Sequence, residues 1–226
     1  MQGDQRKVGL LAKERSKNEG ASIVSGFDSK LQKWASDEPT EFVDVASGVA
    51  WSMAVKDADE LVLLRKSSVL SNKILKHGCV KKMEEVIDSH ETISHEGLSN
   101  YVEEILEDPT KLEMIKNVPK DDVQSCYFPI VQSGGEYDLK VSAQSTSAML
   151  SNDVITVSLG ARYRYYCSNV ARTFFVDPPK KVSETYEVLL ELQEACLEAM
   201  KPGLPLKGVY KAAQKFLQDR NGIEYL

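Results

Sequence analysis

The order of apolar and polar positions divides the chain into a mixed opening, a helical middle, a strand-rich centre and a helical end. "VGLL" reads as a short apolar strand, "KLQKWASD" lies in a polar helix, and "EFVDVAS" reads as a second strand. From Asp57 the pattern becomes helical: Asp57 stands as an N-cap with Glu60 three residues on, the spacing of a capping box. Leu61, Leu64, Val69 and Leu75 follow as its helically spaced apolar positions. The clearest helix is "EGLSNYVEEILEDP", because Leu98, Tyr101, Val102, Ile105 and Leu106 recur at intervals of three and four and Asp108-Pro109 stops the run.

The period then shortens to two. "CYFPIVQSGGEYDLKVSAQ" is aromatic and β-branched around a Gly134-Gly135 turn, which predicts strands on either side. "VITVSLGARYRYYCSNVARTFFV" predicts a hairpin, with Ile155, Val157 and Leu159 facing inward and Thr156, Ser158 and Gly160 on the other face. Two helices follow: "VSETYEVLLELQEACLEAMKPG", with Ser183 as N-cap and Lys201-Pro202-Gly203 as stop, and "PLKGVYKAAQKFLQDRNG".

Composition narrows the chemistry. The 226 residues hold 28 Lys and Arg against 34 Asp and Glu, a net charge of -6, which disfavours wrapping the whole surface in a polyanion and favours a basic partner. The four cysteines, Cys79, Cys126, Cys167 and Cys196, form no Cys-x-x-Cys pair, so a reducing compartment is expected. His77, His90 and His95 form no His-Glu-x-x-His arrangement and read as polar positions on helices. No stretch approaches the apolar length of a membrane span, and the chain is expected to be neither secreted nor membrane-inserted.

The segment "SLGARYRYYCSNVARTFF", in this order of elements, resembles the hairpin of the creatinase and aminopeptidase P type of pita-bread metallopeptidase. That family carries "D-x-G-x-x-x-x-x-Y-x-S-D-x-T-R-T-F". Its first Asp falls on Ser158 and its second on Asn169, while Gly160, Tyr166, Ser168, Arg172, Thr173 and Phe174 match the frame. A dinuclear divalent site needs anionic oxygens, and Ser158 and Asn169 offer neutral ones. The family's histidine after the Ser-Gly turn falls on Val141 or, with a one-residue slip, on Ser142. No metal, no cofactor and no catalysis are therefore expected. Cys167 and Ser168 as nucleophiles are outweighed by their reading as strand residues without a histidine nearby in sequence.

Among pita-bread families without these ligands, "SMAVKDADELVLLRKSS", "CYFPIVQSGGEYDLK", "YCSNVARTFFVDP" and "LLELQEACLEAMKPG" resemble the amino-terminal domain family of the large subunit of FACT, a histone chaperone. The resemblance implies an α+β chain. Residues 1–50 would be the carboxyl-terminal part of an α/β amino-terminal lobe, and 51–226 the first, truncated part of a degenerate pita-bread domain. It further implies a nuclear, chromatin-bound role with core histones and nucleosomes in transcription elongation, DNA replication and repair. A small HMG-type FACT subunit would be met through regions outside this chain, and no sequence-specific nucleic-acid binding is implied. The rival readings are an inactive pita-bread protein of the proliferation-associated, RNA-binding type, which should show a basic face, and a working metallo-aminopeptidase, which needs carboxylates absent from the hairpin.

One candidate site lies outside the hairpin. In "SETYEVLLELQEACLEAM" the apolar face is Tyr186, Leu189, Leu190, Leu197 and Met200, while Glu184, Glu187, Glu191, Glu194 and Glu198 form an acidic stripe with no Lys or Arg four residues after any of them. The plain reading is a solvated face. The functional one is that Glu187, Glu191 and Glu194 attract basic histone segments.

Overall fold

The structure is a computed structural model that describes residues 6–11, 22–36, 40–115, 117–140 and 142–220. The chain divides into two compact units, Met1–Val62 and Leu63–Leu226. In the first, β1 (Arg6–Leu10) runs parallel to β2 (Thr40–Asp44), with α1 (Ser22–Ser36) in the connection and α2 (Ala46–Ala54) after β2. Parallel strands require such a crossover, so this β-α-β order is the smallest piece of an α/β layer. Gly9 is sterically required: a Cβ there would lie 2.7 Å from the Val45 side chain.

The division between the units falls within α3 (Ala58–Ile74). Its capping box forms as expected, with the Glu60 amide donating to Asp57 Oδ1 and the Asp57 amide donating to Glu60 Oε2, each at 2.8 Å. A π-helical turn, Leu75–Val80, joins α3 to α4 (Lys81–Asp88). The face turned to the core is only partly the one the apolar spacing suggests: Leu75, at the start of the π-turn, is buried as expected. Ser67, Leu70, Ser71 and Ile74 are buried, whereas Leu61 and Val69 are exposed. The buried stripe is half polar because its serines bond to the hairpin, a role that hydropathy does not register.

Helix α5 (His95–Glu107) is capped by Ser94, whose hydroxyl accepts from the Gly97 amide at 2.9 Å, and it buries Leu98, Val102, Ile105 and Leu106. These pack with Ile74, Cys79, Val131, Ile155, Val157 and Leu159 into one core. The sheet holds β3 (Val123–Ser125), β4 (Ile130–Gln132), β5 (Val154–Tyr163) and β6 (Tyr166–Phe175), all antiparallel to β5 where they pair with it. The expected strand after Gly134-Gly135 is not formed. Both glycines have positive φ, 86° and 90°, and from Ser133 to Leu150 the described chain is irregular apart from one bridge, Ser94 to Met149.

That segment is held by side chains acting in place of a strand. The Gln132 amide group accepts from the Asp138 amide at 2.9 Å and donates to its carbonyl at 3.0 Å. Ser145 Oγ accepts from the Val131 amide at 2.9 Å and donates to the Pro129 carbonyl at 3.0 Å. His95, expected as a polar helix position, is the third anchor. It is buried, with its ring nitrogens 2.7 Å from Ser133 Oγ and 3.2 Å from Thr146 Oγ1. His77 lies in the π-turn, and His90 lies in a turn with φ of 56° rather than on a helix.

Helices α6 (Lys180–Ala199) and α7 (Leu206–Asp219) pack together after the hairpin. The start of α6 differs from expectation: Pro179 is its N-cap and Ser183 lies inside the first turns. No side chain caps this end; the Pro179 carbonyl accepts from the Val182 amide at 2.8 Å and the Ser183 amide at 3.3 Å. No helix among the described residues is long and apolar enough to cross a membrane.

Candidate functional site

The hairpin is the part of the second unit with chemistry to explain. Strands β5 and β6 pair along their whole length, from Val154 with Phe175 to Tyr163 with Tyr166, around a two-residue turn. Arg164 and Tyr165 occupy that turn with φ of 45° and 74°, the positive values its twist demands. A non-glycine residue holds because the Arg164 amide donates to the Asp122 carbonyl at 2.9 Å and its guanidinium pairs with the Asp122 carboxylate at 2.9 Å.

One face of the hairpin is stitched to α3 by three serines. Ser67 Oγ donates to the Ala161 carbonyl at 2.7 Å and lies 3.0 Å from Ser168 Oγ. Ser71 Oγ accepts from the Ala161 amide at 3.0 Å and shares a 2.7 Å bond with Ser168 Oγ. Ser168, part of the pattern shared with the metallopeptidases, is thus a structural residue here. Its hydroxyl meets two serine hydroxyls, those of Ser67 and Ser71, and no histidine, which fits a packing role rather than a nucleophilic one.

The other face carries Ser158 and Asn169. Ser158 pairs across with Ala171, and Asn169 with Gly160, so the two positions are two residues apart along the ladder and point the same way. Gly160 between them cannot be larger: a Cβ would lie 2.8 Å from the Ser168 carbonyl and 3.1 Å from the Tyr127 ring. The Tyr127 hydroxyl reaches over this gap to Ser158 Oγ at 2.8 Å. Burial raises the Tyr127 pKa, opposed by its bond to Ser158, so the phenol stays neutral near pH 7. Two neutral oxygens bonded to each other do not fit a divalent cation, and Asn169 adds a third neutral group. Among the described residues no group of three or more His, Cys, Asp or Glu could hold a metal ion. Val141, one of the two positions matching the family's histidine, lies outside the described residues, and Ser142 is exposed.

Neither Cys79 nor Cys126 offers an activated thiol. Burial pushes Cys79 up to about 12 and, with Cys167 beside it, Cys126 up to about 11.

Beside Ser158 opens a cavity of about 590 Å³, walled by Gln132, Thr156, Thr173, Leu189, Leu190 and Glu194 among others. The three glutamates singled out in the sequence are all exposed on α6, and they are not equivalent. Glu194 borders the cavity, Glu191 forms an ion pair with Arg220 at the end of α7, and Glu187 lies on the open surface. The spacing within α6 gives no sign of Arg220, because that cation comes from the next helix. Another pair, Lys180 with Glu184 at 3.4 Å, runs in the cation-first direction, with the lysine four residues before the glutamate. The apolar face of α6 is present but half open: Tyr186 stacks edge-on against Phe175 with centroids 4.9 Å apart, while Leu189, Leu190, Leu197 and Met200 remain about half exposed.

Comparison with known proteins agrees with this geometry. Residues 63–226 match the family model Peptidase_M24, Metallopeptidase family M24. The chain is 35% identical over 222 residues to FACT complex subunit SPT16 of Oryza sativa subsp. japonica, covering 97% of this chain and 20% of that protein. The solved N-terminal domain of FACT complex subunit SPT16 from Cicer arietinum (chickpea) matches with a TM-score of 0.82 at 35% identity, over 96% of this chain and 50% of that one. An X-Pro aminopeptidase from Thermotoga maritima shares the fold, with a TM-score of 0.69 at 20% identity over 96% of this chain and 54% of that one. The chain therefore spans about a fifth of the length of the curated relatives it matches. It is homologous to SPT16 along nearly its whole length, and its hairpin keeps the metallopeptidase frame with the metal ligands replaced. The chain belongs to metallopeptidase family M24.

Proposed function

We propose that this chain is a non-catalytic component of a FACT histone chaperone that binds core histones and nucleosomes. The reading is supported above all by its likeness to the SPT16 N-terminal domain over 96% of its length. The replacement of both hairpin carboxylate positions by Ser158 and Asn169 fits it, since the fold then offers a surface and a cleft without a reaction to run. In this reading residues 1–50 close an amino-terminal lobe and residues 51–226 begin a degenerate pita-bread domain. The protein works in the nucleus on chromatin, in transcription elongation, replication and repair, and meets a small HMG-type subunit through parts of its relatives that this chain does not span.

The histone contact is placed on α6. Glu187 and Glu194 present unscreened carboxylates next to half-exposed leucines, a combination suited to a basic segment that also carries apolar side chains. A pull-down of purified core histones with the 226-residue chain tests the reading. Retention at about 150 mM salt is expected, because burial of the leucines adds to the charge attraction that salt screens. Failure to retain any core histone at that salt would remove the proposal.

A further inference from the structure

Between Glu60 and Glu84 the sequence contains no acid and six Lys or Arg, in a chain whose net charge is -6. The run covers α3, the π-turn and the start of α4. Its buried side is occupied by Ser67, Leu70, Ser71, Ile74 and Leu75, so the basic residues occupy the outward side. Arg65, Lys66, Lys76 and Lys81 are exposed. Lys66 lies over the Tyr163 ring at 5.4 Å, Lys73 donates to the Met114 carbonyl at 3.2 Å, and Lys82 pairs with Glu85 at 3.6 Å. Arg65, Lys76 and Lys81 have no ion-pair partner among the described residues. A shallow groove of about 240 Å³ runs along this side, lined by Ser68, Val69, Asn72, Lys73, Lys76 and His77.

We propose that the outward side of α3 and its π-turn binds the sugar–phosphate backbone of double-stranded DNA without reading sequence. Three observations select this partner. A rigid helix rising about 1.5 Å per residue sets Arg65 and Lys81 about 24 Å apart, a span that meets several phosphates of a stiff duplex. The absence of any carboxylate from 61–83 removes the repulsion that would reject a polyanion. The groove residues include no Phe, Tyr or Trp, and the half-buried His77 ring is the one aromatic group there, which gives a single strand no run of stacking platforms, while Ser68 and Asn72 add neutral groups able to donate to phosphate oxygens. The inference stands apart from the histone reading, since it uses another helix and the opposite charge.

The test is fluorescence anisotropy of a labelled random-sequence duplex of about 20 base pairs, titrated with the 226-residue chain at about 50 and 200 mM salt. The parent should bind at the lower salt and weaken steeply at the higher one. Arg65→Gln/Lys76→Gln/Lys81→Gln should bind at least about tenfold more weakly at low salt, with a log–log salt slope shallower by about 2.7, the share of three lost phosphate contacts. Circular dichroism checks that helicity is unchanged, and Arg65→Lys combined with native Lys76 and Lys81 should bind as the parent does. No binding by the parent at low salt, equal binding by the triple variant, or displacement of the duplex by polyglutamate at equal charge would each overturn the proposal, the last in favour of an acidic polypeptide.

Discussion

At the scale of single residues, the hairpin is governed by a few atoms with no slack. Gly160→Ala would press a methyl group to 2.8 Å from the Ser168 carbonyl, where backbone cannot yield cheaply. A loss of about 1–3 kcal/mol is expected in urea unfolding. Ser67→Ala leaves the Ala161 carbonyl without its side-chain donor, and a comparable loss of about 1–3 kcal/mol is expected. His95 gives the molecule a pH dependence. Its pKa is lowered by burial, so the unfolded chain takes up a proton at a higher pH than the folded one does. The contribution of neutral His95 is complete above the ordinary histidine value of 6.5 and is lost as pH falls through the lower folded value. Urea midpoints measured from pH 8 to pH 5 should therefore decline, and His95→Gln should flatten that decline. Equal slopes for the two proteins would refute the assignment.

Among the elements, what the sequence made legible follows from how each is stabilised. The capping box at Asp57 and Glu60, helix α5 and the β5–β6 hairpin rest on local chemistry or strong periodicity, and all were readable in advance. The buried face of α3 was not, because Ser67 and Ser71 are there for hydrogen bonds some 90 to 100 residues away in sequence. Nor was the irregular segment after Gly135, where Gln132 and Ser145 side chains substitute for strand pairing. Replaced metal ligands could be read from residue identity alone, whereas the Tyr127–Ser158 bond that closes the gap could not. On α6, charge reversal separates a solvated face from a binding one. Glu187→Lys/Glu191→Lys/Glu194→Lys should weaken histone binding and flatten its salt dependence while helicity persists. Because Glu191 already pairs with Arg220, Glu191→Gln alone should change affinity less than Glu187→Gln alone. A triple variant that binds histones as tightly as the parent at both low and physiological salt would leave the stripe a solvated face.

For the whole molecule, a metallopeptidase scaffold has been kept while the two hairpin carboxylates have been replaced by Ser158 and Asn169. Restoring both of them together is not enough. Ser158→Asp with Asn169→Asp should show no turnover of Xaa-Pro peptides in excess manganese, since the histidine position is Val141 or Ser142 and two carboxylates alone do not complete a catalytic centre. Measurable turnover by that variant would mean the remaining ligands exist elsewhere in the chain. The proposed histone binding of this family M24 chain would rest on surface chemistry and need no metal. The direct measurement is titration of fluorescently labelled core histones with the 226-residue chain, performed in parallel with excess manganese and with a chelator. Saturable binding with the same dissociation constant in both conditions, weakening as salt rises, is the predicted result; no saturable binding, or binding that vanishes with the chelator and returns with manganese, would contradict it.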